Sequence, residues 1–499
     1  MEEETSKSPN FFKRSSFCIL LVGAFMLIFR IGYHALWLDE ATSVRRVSYE
    51  FSFMLQNIAA NDAHPPGYYL IAWILGFLNQ LLPIETAIRL PSAICAWVML
   101  IYTIKTEKKL FPKVNISQAG IFLCFSSFFI YFGQEARHYI AFSMFSTIAS
   151  YYLLALIKDG FNVKDACLYI FALTASFYTF YYTLFIAIAH FIILLFSWKT
   201  IKKDLLKWAS IFVIPGILFS FYVPTIIKMK NKLEQNEANM NFRFATPGEL
   251  QECLREILAG YQFYSSVWTG LSILSLCIIG IILFLIFSKF RKQKNIENIY
   301  ILLLFFIPIL CISLFPLKPH IVESKHLIFL LFPIALLFSS SLNLSEKWPI
   351  ISRFFLVVLI LTNLMTLTRY WSQTGTKEAW NYSVDMIYKE IEPGDIFFTA
   401  PFYLEYPLEI YLDKKAINNP IYHIFQYRFE PEKKDFILSK IKQAPRIWLI
   451  ELKDSPVSFH DTESLRIVLK DHTLTKPVEL KAKNGTIKIT LLMAKPSND

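Results

Sequence analysis

Residue types capable of chemistry concentrate in a few short stretches of this chain. Trp37-Leu38-Asp39-Glu40 places two adjacent carboxylates directly after the first long apolar run. Such a pair at a membrane surface can divide labour, one acid serving as a base and the other holding a substrate hydroxyl, a metal or a partner cation. Asn61-Asp62-Ala63-His64-Pro65-Pro66-Gly67-Tyr68-Tyr69 adds an imidazole and two phenols, and Gln134-Glu135-Ala136-Arg137-His138-Tyr139 holds more hydrogen-bonding side chains than a plain turn needs. The cations Arg89, Arg137, Lys325 and His326 form a further group, because fixed positive charge in a water-poor cleft stabilises negative charge that develops during a reaction. Taken singly, an acid pair can mark no more than the end of a span, and Arg89 or Lys325 can snorkel to headgroups. The coincidence of these stretches at one set of span ends singles them out, since ionisable groups beside lipid are costly unless they serve something.

The elements that must position these residues are membrane helices. The chain has 499 residues, 55% of them hydrophobic and 16% aromatic, with a mean hydropathy of +0.42. That composition does not suit three water-facing domains, and 15 glycines with 18% charged residues do not suit disorder or a fibre. The formal charge of +11 is not a nucleic-acid signature. From Thr368 onward 19 Lys+Arg face 18 Asp+Glu, so the excess lies among the apolar runs, where membrane topology places it. Six of the seven cysteines fall in apolar runs, which implies no disulfide framework.

A run from Phe17 towards Trp37 with no small-residue cleavage site predicts a retained signal-anchor, with residues 1–16 cytoplasmic and Lys13 and Arg14 inside. Further spans are expected at about 88–104, 118–133, 138–157, 166–181, 182–197, 208–227, 267–288, 298–316, 326–342 and 350–367, making about eleven. With that number every basic cluster, including Lys105 to Lys113 and Lys289 to Lys294, falls on the inner side. Residues 68–82, bracketed by Pro65-Pro66 and Pro83, read as an interfacial or re-entrant helix. Residues 17–367 are therefore expected to be a transmembrane domain with a catalytic outer loop at 38–89, and residues 368–499 a soluble extracytoplasmic domain. In that tail, Lys377 to Lys389 has helical spacing, Asp395 to Thr399 and Arg446 to Ile450 read as strands, and Asn484-Gly485 reads as a hairpin turn. A small α/β or α+β fold is expected there.

In order and spacing, Asp39-Glu40, His64-Pro65-Pro66-Gly67-Tyr68-Tyr69, Arg89-Leu90-Pro91 and Glu135-Ala136-Arg137-His138-Tyr139 resemble the glycosyltransferase family 39 type of membrane enzyme. That group includes protein O-mannosyltransferases and lipid A aminoarabinose transferases. The likeness covers about residues 15 to 340. It implies an α-helical polytopic protein of the large transmembrane glycosyltransferase-C fold, with a polyprenyl-phosphate sugar as donor and inverting transfer to a membrane lipid, glycan or protein acceptor outside the cytoplasmic membrane. It also implies Asp39 as the first-loop acid, suited to take the acceptor proton, with Glu40 orienting acceptor or sugar.

Under the same resemblance Arg89, Arg137, Lys325 and His326 would hold the donor phosphate, while His64, Tyr68, Tyr69, Glu135, His138 and Tyr139 would line the substrate site. His138 stands where relatives more often carry an apolar residue. His64 with Asp39 or Glu40 has the residue types for a divalent metal, yet no spaced partner set accompanies them, so the sequence requires no cofactor and leaves a divalent metal open as the alternative. The missing luminal insert of eukaryotic mannosyltransferases points to a bacterial inner membrane. The rival readings are a flippase of lipid-linked sugars and an oligosaccharide-transferring ligase. Ionisable residues at span ends rather than mid-span favour an enzyme over a transporter.

Overall fold

A computed structural model of the chain describes residues 9–62, 64–236, 244–260, 280, 296–315, 322–342, 349–372, 377–423, 431–453, 472–474, 477–482 and 485–494. The expected span at 267–288, apart from residue 280, and the basic cluster from Lys289 to Lys294 lie outside the described residues. The chain divides into two compact units. One comprises Met1–Ile31, Tyr49–Leu82 and Ala87–Arg369, and the other Gly32–Ser48, Pro83–Thr86 and Tyr370–Asp499. The stretch bearing Asp39 and Glu40 is thus grouped with the tail.

The first unit is helical. Its chain order begins with α1 (Pro9–Ile28), α3 (Phe51–Asn61), α4 (Gly67–Ile74), α5 (Ile84–Leu110, apart from its first turn), α6 (Gln118–Phe125), α7 (Ser127–Gly133) and α8 (His138–Asp159). There follow α9 (Val163–Phe177), α10 (Thr183–Phe196), α11 (Trp198–Ile201), α12 (Leu205–Ser220), α13 (Val223–Asn236), α14 (Pro247–Ala259), α15 (Ile296–Leu314), α16 (Leu331–Leu342) and α17 (Pro349–Ser372, to Arg369). Among the described residues four helices are long and apolar enough to cross a membrane, or five if the pair Leu205–Ser220 and Val223–Asn231, bent by 50°, is one span. Several expected spans are shorter than the run of apolar residues suggests. Helix α4, in the stretch read as interfacial or re-entrant rather than as a span, has eight residues, about 12 Å at 1.5 Å per residue, too short to cross.

The run expected to span at 118–133 is broken in two. Ser126 is extended (φ −70°, ψ 115°), and its hydroxyl accepts from the Phe129 N–H, ending α6 and capping α7. The interruption is held from α17, where Asn363 Oδ1 accepts from the Ser127 N–H at 2.8 Å and from its hydroxyl at 2.6 Å. The Asn363 amide donates in turn to the carbonyls of Leu258 and Leu359. Gly260 lies against the same point with φ +101°, and a Cβ there would stand 2.4 Å from Ser127 Oγ, so both backbone and space demand glycine. At the other end of α6, buried Glu107 of α5 accepts from the N–H groups of Gln118 and Ala119, satisfying donors a helix start leaves unpaired.

The second unit carries α2 (Leu38–Val47) and, from the tail, α18 (Trp380–Tyr388), α19 (Glu405–Asp413) and α20 (Pro431–Gln443) beside a six-stranded sheet. Its strands are β1 (Ile396–Ala400), β2 (Ile421–Tyr422), β3 (Arg446–Lys453), β4 (His472–Leu474), β5 (Val478–Ala482) and β6 (Gly485–Ala494), in the order β2-β1-β3-β6-β4 with β5 also on β6. β1 runs parallel to β2 and β3 because helical crossovers join them, whereas β6 is antiparallel to β3. The strands read at 395–399 and 446–450 are present, each shifted or extended by a few residues. β5 and β6 form the expected hairpin with Ala482 opposite Gly485, so that Gly485 opens β6; Lys483 and Asn484 lie outside the described residues. Ile396, Phe398, Ile441, Ile447, Leu449 and Leu492 build the apolar core.

Candidate active site

In the first unit a polar cluster forms where α3, α4, α8 and the 3₁₀ turn Ser324–Leu330 present their ends. Asp62 closes α3 in extended conformation, so its carboxylate turns back on the loop that follows. Asp62 Oδ1 accepts from the His64 N–H at 2.9 Å and lies 3.0 Å from His64 Nδ1, while Oδ2 accepts from the Tyr69 hydroxyl at 2.6 Å. Arg137 donates to that hydroxyl at 3.1 Å. Pro65-Pro66 leads directly into α4, and this places Tyr69 over Asp62 one turn into the helix.

Around this network stand aromatic rings. His64 and His138 have centroids 4.1 Å apart, and Phe180 lies 4.9 Å from His138 and 5.4 Å from His326. Tyr139 reaches both His138 and His326, and Tyr182 flanks His326. His138 is buried at the first position of α8, and its Nε2 has no hydrogen-bond partner among the described residues. Three imidazoles and a guanidinium in a shell of apolar rings suit an anion with several oxygens.

The structure therefore brings together His64, Tyr69, Arg137, His138, Tyr139 and His326. Other candidates are engaged differently. The Tyr68 hydroxyl accepts from Ser92, Arg89 is fully buried and donates to the Ile31 carbonyl at 2.8 Å, and Lys325 pairs with Glu323 at 2.6 Å. Glu135 is fully buried and its carbonyl accepts from the Arg137 N–H. Gln134 donates to the carbonyls of Leu27 and Phe29, closing the end of α1. Near the 3₁₀ turn, the thiol of Cys253 in α14 is pushed up to about 12 by burial, with the carboxylates of Glu256, Glu323 and Glu249 adding to it. Sequence reasoning passed over Asp62 and Phe180. The Asp-x-His spacing with a tyrosine seven residues after the acid was the available signal for Asp62, and a single Phe inside an aromatic run gives none.

In the second unit Asp39 is half-buried in the first turn of α2, and its carbonyl accepts from the Ser43 hydroxyl. Glu40 is fully buried, with Oε1 3.0 Å from Lys377 Nζ, itself buried. Glu378 accepts from the Leu38 N–H at 3.1 Å and from the Trp380 indole N–H at 2.7 Å. Tyr403 nearby is pushed up to about 12 by burial, and the Glu378 charge adds to the effect. Within the first unit the carboxylate that meets His64 is Asp62, and among the described residues no three His, Cys, Asp or Glu side chains converge as metal ligands.

The family profile described as dolichyl-phosphate-mannose-protein mannosyltransferase matches residues 63–223, about a third of the chain, taking in His64, Arg89 and Glu135 to Tyr139 and beginning after Asp39 and Glu40. Fold and family match define the class: an integral membrane glycosyltransferase of the glycosyltransferase-C fold, as the order of motifs implied. Among solved structures the chain is similar to ArnT from Cupriavidus metallidurans bound to undecaprenyl phosphate, at 11% identity and TM-score 0.54 over 96% of this chain and 97% of that one. It is also similar to the Archaeoglobus fulgidus oligosaccharyltransferase tethered to an acceptor peptide, at 9% identity and TM-score 0.51 over 99% and 76%. Among curated protein sequences none matches.

Proposed function

We propose that this chain moves one sugar from a polyprenyl-phosphate carrier to an acceptor hydroxyl or phosphate on a lipid, glycan or protein, at the outer face of a bacterial inner membrane. The observation that carries the reading is the cluster of buried Arg137, His138 and His326 with half-buried His64, set among aromatic rings, which matches the chemistry of a lipid phosphate in a fold whose solved examples include one holding undecaprenyl phosphate.

In the reaction the acceptor oxygen attacks the anomeric carbon from the face opposite the phosphate. The carbon–oxygen bond to phosphate breaks, its electron pair leaves with the polyprenyl phosphate, and configuration inverts. Asp39 takes the acceptor proton, raising the nucleophilicity of the oxygen as the bond forms. The Arg137 guanidinium, with N–H donors of the imidazoles around it, receives the second negative charge of the leaving phosphate, and placement in a water-poor cluster strengthens that interaction. Lys325 is a further candidate for the same phosphate, and Tyr68 and Glu135 for holding the substrate.

The test is transfer by purified wild-type protein and Asp39→Asn, using polyprenyl-phosphate sugars with extracted membrane acceptors, and binding of undecaprenyl phosphate measured in parallel. Wild-type transfer, with a variant that binds carrier but has lost about 10²–10⁴-fold in turnover, supports the reading. Normal turnover by the variant removes Asp39 as base, and a sugar that never leaves its carrier removes the donor class. A product carrying one sugar separates this reading from transfer of a whole oligosaccharide.

A further inference from the structure

We infer that Lys377 and Glu378 are positioning residues for Asp39: this dipeptide of the tail grips the residue on each side of the proposed base. The inference rests on the reading of Asp39 as the base and extends it to the residues that hold it in place.

Helix α2 needs such help. It has ten residues, a length at which an isolated helix is marginal in water. Its N-cap residue is Trp37, which has no side-chain acceptor to offer the first N–H groups. The missing acceptor arrives from 340 positions away, because Glu378 Oε2 takes the Leu38 N–H at 3.1 Å. A carboxylate there both satisfies an orphan donor and meets the positive end of the helix dipole. The same oxygen accepts from the Trp380 indole at 2.7 Å, and this fixes the side chain at the entrance of α18.

On the other side of Asp39, Glu40 turns inward. Its carboxylate is fully buried and lies 3.0 Å from Lys377 Nζ, whose side chain is 1% exposed. Glu40 Oε2 also faces the Trp37 N–H at 3.5 Å. Asp39 therefore sits between a neighbour whose backbone is held by Glu378 and a neighbour whose side chain is held by Lys377, while itself half-buried. A buried ion pair is a poor way to gain stability, since desolvation offsets attraction, but it specifies a single arrangement and penalises displacement. The far end of α2 is tied as well: Arg45 lies 3.5 Å from Glu409 and 4.4 Å above the ring of Tyr406, both on α19. Rotation of α2 that would swing the Asp39 carboxylate away must break contacts at both ends.

The placement also changes the part Glu40 plays. Enclosed with Lys377, it acts through the orientation of α2, and Lys377, Glu378 and Glu40 form one device.

The experiment uses the full-length protein in lipid nanodiscs. Transfer is measured with a polyprenyl-phosphate sugar on which wild type is active, undecaprenyl phosphate binding with the carrier alone, and amide hydrogen exchange over residues 38–47 and over β1 and β3. Because a misplacement of about 1 Å costs on the order of 10²-fold in rate, Lys377→Met is expected to lower kcat by about that factor. Its donor KM and its undecaprenyl phosphate Kd should stay within about threefold of wild type. Exchange should quicken over residues 38–47 and stay unchanged in β1 and β3. Lys377→Arg, which keeps the charge, should recover most of the rate.

Glu378→Gln serves as the milder variant, since an amide oxygen can still accept from Leu38 and the tail should fold. It is expected to show the same split between kcat and KM at smaller size. The proposal is overturned if both variants keep wild-type kcat, if exchange over 38–47 does not change, or if the rate falls only alongside equal loss of carrier binding and faster exchange in β1 and β3. Asp39→Asn keeps the two claims apart. If it turns over normally, the base reading fails and positioning of a base fails with it, whereas a dead Asp39→Asn beside a fully active Lys377→Met overturns the positioning alone.

Discussion

Asp62 and His64 form a dyad in which the carboxylate holds both the backbone N–H and Nδ1 of the imidazole, at 2.9 and 3.0 Å. An ionised carboxylate only accepts, so the contact places a proton on Nδ1, and an anion held through Nε2 requires that nitrogen to carry a proton as well. Tyr69, also on Asp62, links the dyad to Arg137. Asp62→Asn should release the ring and the tyrosine together. Its amide can donate where a carboxylate must accept, and the expected result is a loss of about 10–100-fold in undecaprenyl phosphate affinity or turnover. His64→Gln should lose a similar amount, and the double variant should lose little more than either single one. Measured additivity would mean the two act separately.

Tyr411 makes a second connection inside the tail unit. Its hydroxyl accepts from the Leu36 N–H at 2.7 Å and donates to Glu85 Oε1 at 2.9 Å, and Lys414 pairs with the same carboxylate. Leu36 is fully buried, so Tyr411→Phe strands its N–H. The expected cost is about 1–3 kcal/mol, seen as a lower midpoint in thermal unfolding with the carrier absent. Lys414→Met removes a more exposed partner and should cost less than about 1 kcal/mol.

Asn363 illustrates a requirement that polarity alone does not convey. Its amide makes four bonds, accepting twice from Ser127 and donating to the Leu258 and Leu359 carbonyls. Asn363→Asp keeps the size but sets an acceptor against two carbonyl oxygens in a buried place. It should be worse than Asn363→Ala, which leaves donors and acceptors unpaired without repulsion, and each should cost at least about 2 kcal/mol. Recovery of folded protein after detergent extraction, followed by thermal unfolding, ranks them. Equal behaviour of the two variants would remove the directional argument.

What could be read from sequence and what could not divides along contact distance. Hydropathy and motif order were enough for a helical membrane glycosyltransferase, and β-branched runs with a turn were enough for β1, β3 and the closing hairpin. The break at Ser126 was invisible because residues on both sides are equally apolar, and the residue that fixes it, Asn363, lies 236 positions away. The adjacency of Asp39 and Glu40 suggested shared chemistry. Their different burial depends on Lys377, 337 positions from Glu40, in a stretch that local spacing marks only as helical. His64 stood out beside two prolines, whereas Asp62, which orients it, read as part of the lead-in. Side chains whose roles come from their partners were the ones missed.

Arg89 and Arg137 looked alike in sequence, each a cation at a span end, and the structure gives them different surroundings. Arg89 is fully buried with one guanidinium nitrogen on the Ile31 carbonyl, at the point where the chain leaves α1. Arg137 lies beside the imidazoles, bonded through Tyr69 to the Asp62 network, and precedes α8 in extended conformation. A guanidinium used to hold backbone should be felt as stability, and one aimed at an anion as affinity. Arg89→Lys should therefore lower the unfolding midpoint while leaving undecaprenyl phosphate affinity within about threefold, since the lysine cannot reproduce the planar donor geometry. Arg137→Lys keeps the charge but not the fork, and should weaken carrier binding by about tenfold, with a smaller change in the midpoint. If Arg89→Lys instead abolishes binding in a protein that unfolds at the wild-type temperature, Arg89 belongs with the phosphate after all, and the anion site extends beyond the three histidines.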